Sequence, residues 1–164
     1  MANKVPANGA VPTMFVASVA PAFPMDMDNP CEHPRDKKKR RYVVYIAEEE
    51  IDYEPTGKFY VGRTSGTGTV TQIVNKRQQG HHRTDIGKLK AIHETDSYSA
   101  CRGAEQKHYE DMVAKNQAIT SPRAKGRGAQ IAPIAADNRR KQKYLDCAQA
   151  SARHSHPGCP ICGA

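Results

Sequence analysis

RYVVYIAEE occupies residues 41 to 49. It is short, β-branched and aromatic, so it reads as a strand. Period-two alternation puts Tyr42, Val44 and Ile46 on one face, with Val43, Tyr45 and Ala47 on the other. A polar loop through Pro55 and Gly57 leads to KFYVGR, residues 58 to 63, a second strand, and the simplest pairing of the two is an antiparallel hairpin. The second strand then runs into a glycine-rich loop in FYVGRTSGTGTV, residues 59 to 70. Glycine-rich turns after strands often cradle phosphates. Here Arg63 stands where a nucleotide-binding loop would continue. Neither GxxxxGK[ST] nor a GxGxxG with a downstream acid is present. Either the loop is only a turn, or the chemistry sits around it, beginning at Tyr60.

Further out, TVTQIVNKRQQG (69 to 80) reads as a helix, with Thr69 or Thr71 as its cap and Gly80 as its end. Residues 84 to 94 are ambiguous, since AIHE suits a third strand and IGKLKAI a short helix. SYSACRGAEQKHYEDMVAKN (97 to 116) is the strongest helix, opened by a serine and rich in good helix formers. SPRAKGRG (121 to 128) is a basic loop. ADNRRKQKYLDCAQ (136 to 149) is a further helix, and RHSHPGCPICGA (153 to 164) a tail.

The chain has 164 residues, enough for one ordinary domain with tails. With 38% hydrophobic residues, no tryptophan and three phenylalanines, a core has to occupy only part of it. A net charge of +8 favours a polyanionic partner, nucleic acid first and an acidic protein next. Five cysteines, widely spaced except for Cys159 and Cys162, do not form a disulfide framework and read as reduced thiols. The apolar stretch VPTMFVASVAPAF (11 to 23) is broken by Pro12 and Pro21. It is too short to span a membrane and makes a poor signal peptide, so export would need a route other than the general secretory one. Six of the eleven prolines fall in residues 1 to 36, which read as a mostly unstructured linker. DKKKRR (36 to 41) is a solvated boundary or, alternatively, a set of phosphate contacts beside the domain. The division is therefore a linker over 1–40, a folded domain over 41–147 and a Cys/His-containing tail over 148–164.

Two polar residues lie on apolar helix faces. Val70, Ile73, Val74 and Arg77 share one side of the first helix, and His81 lies four residues beyond Arg77 near the same face. In the long helix, Glu105 lies within the arc of Cys101, Ala104, His108 and Met112. An arginine directed inward needs an anion, and a carboxylate on a buried stripe needs a cation or donors. A Glu105–Arg77 ion pair answers both. The functional alternative is a phosphate-binding arginine with a metal-binding glutamate at the floor of a cleft.

In order along the chain, these residues resemble the GIY-YIG nuclease family. Val43-Val44-Tyr45 and Tyr60-Val61-Gly62 stand for the two short strand motifs. Arg77 and His81 follow in R-x-x-x-H spacing, then Glu105, then Asn138 in ADNRR, so the likeness covers residues 42 to about 145. Val43 replaces the first glycine and Val61 an isoleucine. The gap from Tyr60 to Arg77 is longer than in compact members, which leaves Arg63 or Arg83 as substitutes for Arg77 and Asn116 as a competitor of Asn138. The run VGRTSG…HHR…TDSYSACRGAEQ is most similar to the nuclease tips of bacterial polymorphic toxins.

The resemblance implies an α+β fold with a small three-stranded antiparallel sheet flanked by helices. It implies one Mg²⁺ (or Mn²⁺) ion held by Glu105, with substrate phosphate and water completing its shell. Tyr45 and Tyr60 would flank the attacking water. Tyr45 would act as general base or proton relay, its pKa depressed by nearby cations. Arg77 would bind non-bridging phosphate oxygens, His81 would orient a tyrosine or touch phosphate, and Asn138 would support the site. Arg63, His82 and Arg83 are further substrate contacts, and Gly62 marks a point where a side chain would obstruct the substrate backbone. The substrate implied is nucleic acid, double-stranded DNA first. The toxin likeness implies a cognate immunity protein, synthesis in a bacterial cytoplasm, non-Sec secretion and action in a target cell, without membrane insertion.

Two rival classes remain open. One is a non-catalytic basic nucleic-acid-binding module, whose binding falls with salt and which shows no metal-dependent cleavage. The other is a zinc-stabilised interaction protein, using CPIC (159 to 162) with Cys147, His154 and His156. A second C-x-x-C is missing, so an exposed tail is the favoured reading there. His81 and His82 make a weak metal pair, since neighbouring side chains on a helix end diverge.

Overall fold

The structure is a computed structural model that describes residues 30–119 and 129–154. Three strands, β1 (Arg41–Ile51), β2 (Glu54–Gly66) and β3 (Lys90–Thr95), form an antiparallel sheet in the order β2-β1-β3. Three helices, α1 (Val70–Gln79), α2 (Tyr98–Ala114) and α3 (Lys141–His154), complete an α+β fold.

β1 is the middle strand, and the alternation read from its sequence sorts its side chains between two cores. Val43, Tyr45 and Ala47 pack with Ile73 and Val74 of α1, together with Ile86, Leu89 and Ile119. Tyr42 and Val44 pack with Val61 and with Tyr98, Cys101 and Ala104 of α2 and Ala148 of α3. The sheet therefore separates α1 from the α2–α3 pair. The helix pair closes tightly, because a side-chain carbon at Gly103 would collide with the backbone carbonyl of Tyr144.

The hairpin is longer and turns earlier than the sequence suggests. Asp52 and Tyr53 take positive φ values of 51° and 70°, a two-residue turn whose twist suits the flanking strands. Pro55 then lies inside β2, opposite Glu50, where an edge strand tolerates a residue without an N–H. AIHE is strand, not helix, and carries β3. Thr69 rather than Thr71 caps α1, in a reciprocal capping box with Gln72. Ser97 caps α2 as expected. The last helix starts later than its sequence suggests, after a turn in which Asn138 Oδ1 accepts from the Arg140 N–H, and it continues past residue 147.

Two expectations about the ends of the domain are corrected. Residues 30 to 40, assigned to the linker, are docked on the domain. A 3-10 turn (Asp36–Lys38) leads into β1, Asp36 Oδ1 accepts the Tyr98 N–H at the start of α2, and the His33 ring packs tilted against the Tyr98 ring, centroids 4.4 Å apart. Moreover, Cys31 and Cys147 form a disulfide across 116 residues of sequence, whereas reduced thiols were expected. Spacing in sequence carried no sign of the pairing because the fold, not a local motif, brings the two together. Cys101 is a buried free thiol. Among the described residues no helix is long and apolar enough to cross a membrane.

Candidate active site at the edge of the sheet

Tyr45 lies in the middle of β1 and is fully buried. Its hydroxyl accepts from Arg77 Nε at 3.2 Å and lies 3.0 Å from His81 Nε2. Arg77 is delivered by the last turn of α1, on the side that buries Ile73 and Val74. His81 follows just after the Gly80 cap, where the chain leaves the helix and folds back over the sheet. Its Nδ1 lies 3.3 Å from the Arg83 carbonyl and 3.1 Å from the Arg83 N–H. Both neutral tautomers are therefore supported. Donation from Nδ1 to the carbonyl leaves Nε2 free to accept from Tyr45.

Tyr60 stands beside this group on the neighbouring strand. Its ring centroid is 6.4 Å from that of Tyr45 and 5.4 Å from that of His81, with edge-to-face geometry in the second case. His82 stacks on His81 at 4.6 Å, contrary to the expected divergence, because both residues lie beyond the helix and are freed from helical spacing. Arg77 Nη2 also lies 3.3 Å from His82 Nδ1.

Gly62 makes the packing possible. A β-carbon there would sit 2.6 Å from Tyr45 Oη, 2.7 Å from Tyr45 Cζ and 2.8 Å from Tyr60 Cε1. The crowding expected against a substrate is in the first place crowding against the two tyrosines.

Glu105 lies on the other side of the sheet, in α2, 8% exposed. Its Oε2 accepts from Arg63 Nε at 2.7 Å, and Arg102 Nη1 lies 3.6 Å from the same oxygen. The Glu105–Arg77 pair offered by helical periodicity does not form. In β2, Gly62 is opposite Tyr45 and Arg63 opposite Val44, so Arg63 falls on the α2 face and reaches Glu105 first. The Arg63 guanidinium also lies 5.3 Å from the Tyr98 ring centroid. Arg102 was not singled out in the sequence. Its signal was its place three residues before Glu105 on one helix.

The remaining candidates divide. Arg83 is buried and its fork is filled by Asp85, at 3.0 Å from Nε and 2.8 Å from Nη2, with its guanidinium 5.6 Å from the Tyr60 ring centroid. It supports the site rather than opening towards a phosphate. Asn138 is exposed in the turn before α3, where its Oδ1 accepts from the Arg140 N–H. Its competitor Asn116 receives Lys58 Nζ at the end of α2. Gln130 was missed. Its side chain bonds both the N–H and the carbonyl of Val61, at 2.9 Å and 2.5 Å, and so pins the YVG strand.

Electrostatics correct one expectation. Burial raises the Tyr45 hydroxyl above its ordinary value despite the hydrogen bond and charge of Arg77, and burial with the Tyr45 and Glu105 charges pushes Tyr60 up to about 12. Burial outweighs the pull of the arginines on both phenols, so both are protonated at neutral pH. Burial, chiefly, lowers His81 to about 4, helped by the charges of Arg77, His82 and Arg83, so its imidazole is neutral. Burial raises the Glu105 carboxyl, against the pull of Arg63 and Arg102.

Among the described residues no three His, Cys, Asp or Glu side chains converge as a metal cluster. Glu105 is the carboxylate that the resemblance would have hold an ion. A single carboxylate suits Mg²⁺, which keeps most of its waters and takes substrate phosphate oxygens. The donor set fits such an ion on condition that Arg63 yields Oε2. The alternative zinc set loses Cys147 to its disulfide, while Cys159, Cys162 and His156 lie outside the described residues.

No family model, curated protein or solved structure matches this chain.

Proposed function

We propose that the chain is a metal-dependent endonuclease that hydrolyses phosphodiester bonds, with double-stranded DNA as substrate, in the manner of the GIY-YIG family. The observation that carries this reading is the Tyr45 hydroxyl held between Arg77 and a neutral His81, beside Tyr60 and with Glu105 across the strand. A buried phenol bridging an arginine and an imidazole is costly to assemble for stability alone.

The chemistry follows from the protonation states. Tyr45 carries its proton at neutral pH and is no base by itself. Passing that proton to His81 Nε2 lets the phenol oxygen take one from the attacking water. Hydroxide then attacks phosphorus, the P–O3′ bond breaks, and the leaving oxygen takes a proton from solvent. The Arg83 carbonyl, by accepting from Nδ1, stabilises the imidazolium that forms. Arg77 keeps further N–H donors for a non-bridging oxygen. A divalent ion at Glu105 would neutralise charge on the phosphate and the leaving oxygen.

The basic charge, +8 overall, supports a polyanionic substrate. We further propose, on the motif resemblance alone, that the domain is the toxin of an interbacterial competition system, exported by a non-Sec route and neutralised by an immunity protein. A second reading, a non-catalytic nucleic-acid-binding module, is favoured by the closed Arg63–Glu105 pair. A plasmid-cleavage assay with Mg²⁺ and with EDTA, run beside Glu105→Ala and Tyr45→Phe, separates them. Metal-dependent nicking lost in both folded variants is the expected result. Absence of nicking by folded wild type would sink the enzyme reading.

A further inference from the structure

Residues 31 to 40 serve no purpose in the chemistry above, yet they are fastened to the domain at three points. Cys31 is bonded to Cys147 of α3, its carbonyl accepts from the Ser97 hydroxyl at 3.3 Å, and Asp36 meets the first N–H of α2 at 2.8 Å. The Arg35 carbonyl takes a further bond from the Tyr42 hydroxyl, and the Arg35 guanidinium lies 4.6 Å from the Tyr98 ring centroid. An exposed basic segment so held has lost the freedom that would make it merely a solvated linker.

The docked segment forms one wall of a groove. A cavity of about 450 Å³ is lined by Arg35, Lys38, Arg40 and Arg63 with Tyr42, Tyr98, Thr64 and Ser65. A second, of about 740 Å³, is lined by Arg40, Thr64, Ser65, Lys76 and Arg77 among others. The two share Arg40, Thr64 and Ser65, so they run together along the end of β2. Neither is lined by a carboxylate residue. Arg63 borders one cavity and Arg77 the other, so the groove passes both halves of the candidate site. Arg63 is paired with Glu105 behind the lining, but Arg35, Lys38, Arg40, Lys76 and Arg77 gather along the groove with no carboxylate lining it, and a polyanion is the occupant that relieves their mutual repulsion.

We propose that residues 31–40 are a disulfide-anchored arm that binds the phosphodiester backbone of a nucleic-acid strand flanking the site, through Arg35, Lys38 and Arg40. The identity of the occupant rests on the nuclease reading, whereas the arm's contribution to binding does not depend on cleavage. The tether places the arm. Reduction by a dithiol adds two electrons and two protons, giving thiols at Cys31 and Cys147 and a disulfide in the reductant, and lets the arm lift.

The test is fluorescence anisotropy of a labelled DNA duplex in EDTA, over a range of salt, so that no cleavage enters. The proteins are wild type, Arg35→Ala/Lys38→Ala and Cys31→Ser/Cys147→Ser, each checked for fold by circular dichroism. Each phosphate contact contributes about 0.9 to the slope of log affinity against log salt. The expected result for the arm variant is weaker binding with a slope shallower by about 1.8. The tetherless variant is expected to move the same way while its basic residues are all retained. Unchanged affinity and slope in Arg35→Ala/Lys38→Ala, with Lys76→Ala weakening binding, would overturn the arm. Wild type that binds no duplex even at low salt overturns it too, in favour of an acidic protein. Salt-dependent binding that falls in the arm variant, from a protein that never cleaves, supports the arm while removing the enzyme.

Discussion

Replacing Gly62 by alanine asks whether the two tyrosines are built around a missing side chain. Gly62 does not have a positive φ, so its backbone suits any L-residue. At such a position Gly→Ala alone would stabilise by about 0.4–1 kcal/mol through the unfolded state. Against this, the new methyl would meet three atoms at 2.6, 2.7 and 2.8 Å. Two belong to Tyr45, which is fully buried with core on its face of the sheet. Overpacking of this kind costs about 1–3 kcal/mol, and the crowding of a buried ring sets it towards the upper end. Displacing the Tyr45 hydroxyl also weakens its links to Arg77 and His81, at about 0.5–1.5 kcal/mol each. The net expectation is a loss of about 2–4 kcal/mol, read as a lower urea midpoint at unchanged m-value. The electrostatic readout is independent of stability. His81 should titrate near 4 in wild type and nearer its ordinary 6.5 in Gly62→Ala, followed by its ring proton resonances. An unchanged or raised midpoint, with His81 still near 4, would show that Gly62 is incidental.

Other perturbations address separate parts of the molecule. On the nuclease reading, Glu105→Gln should abolish metal-dependent cleavage. It should cost no more than about 2 kcal/mol in stability, because the Arg63 side chain is 28% exposed and can turn to water; a larger loss measured by denaturation would mark the carboxylate as structural. Loss of the Cys31–Cys147 bond, which spans 116 residues, should cost up to about 5 kcal/mol by the chain-entropy argument. A denaturation midpoint unmoved by reduction would contradict a native cross-link. The lowered pKa of His81 means that the unfolded chain binds its proton first, so this contribution is full above pH 6.5 and lost as pH falls towards 4. His33, His93 and His108 are lowered too and act in the same direction. His81→Gln should therefore flatten the pH dependence of stability in that window only in part, and a slope identical to wild type would rule out His81 as a contributor.

What the sequence reveals, and what it hides, follows the reach of each signal. The alternation of Tyr42 to Ala47 assigns side chains to the two cores because strand geometry is local. Thr69, Gly80 and Ser97 mark helix ends for the same reason. Helical spacing finds Arg77 and Glu105 on inward faces, but not which inward face of which layer. Their pairing depends on the sheet that separates them, and on Arg63, which β2 register carries to the α2 side. The disulfide and the docked arm were hidden for a like reason. Cys31 sits among prolines and charges that carry no periodicity, and only tertiary packing brings it to Cys147. The depressed phenols expected from neighbouring cations failed on magnitude, since burial of Tyr45 outweighs one arginine hydrogen bond.

The division of the site by the sheet also explains its charges. On the α1 face, Arg77 and a neutral imidazole meet a phenol, a set with no anion of its own. On the α2 face, a carboxylate is closed by two arginines. A buried carboxylate without them would lose its charge to desolvation, and the direction of its shift shows burial already pulling that way. Arg63 and Arg102 oppose that pull, holding the carboxyl lower than burial alone would. A phosphate drawn towards Arg63 would compete for the same guanidinium and release the carboxylate oxygen as it arrived. Gly62 is the point in β2 between the two halves, and the one residue there with no side chain to keep them apart. On the nuclease reading, Arg63 and Arg77 would take the substrate phosphate from the two sides of that strand, and Glu105 would hold the metal ion.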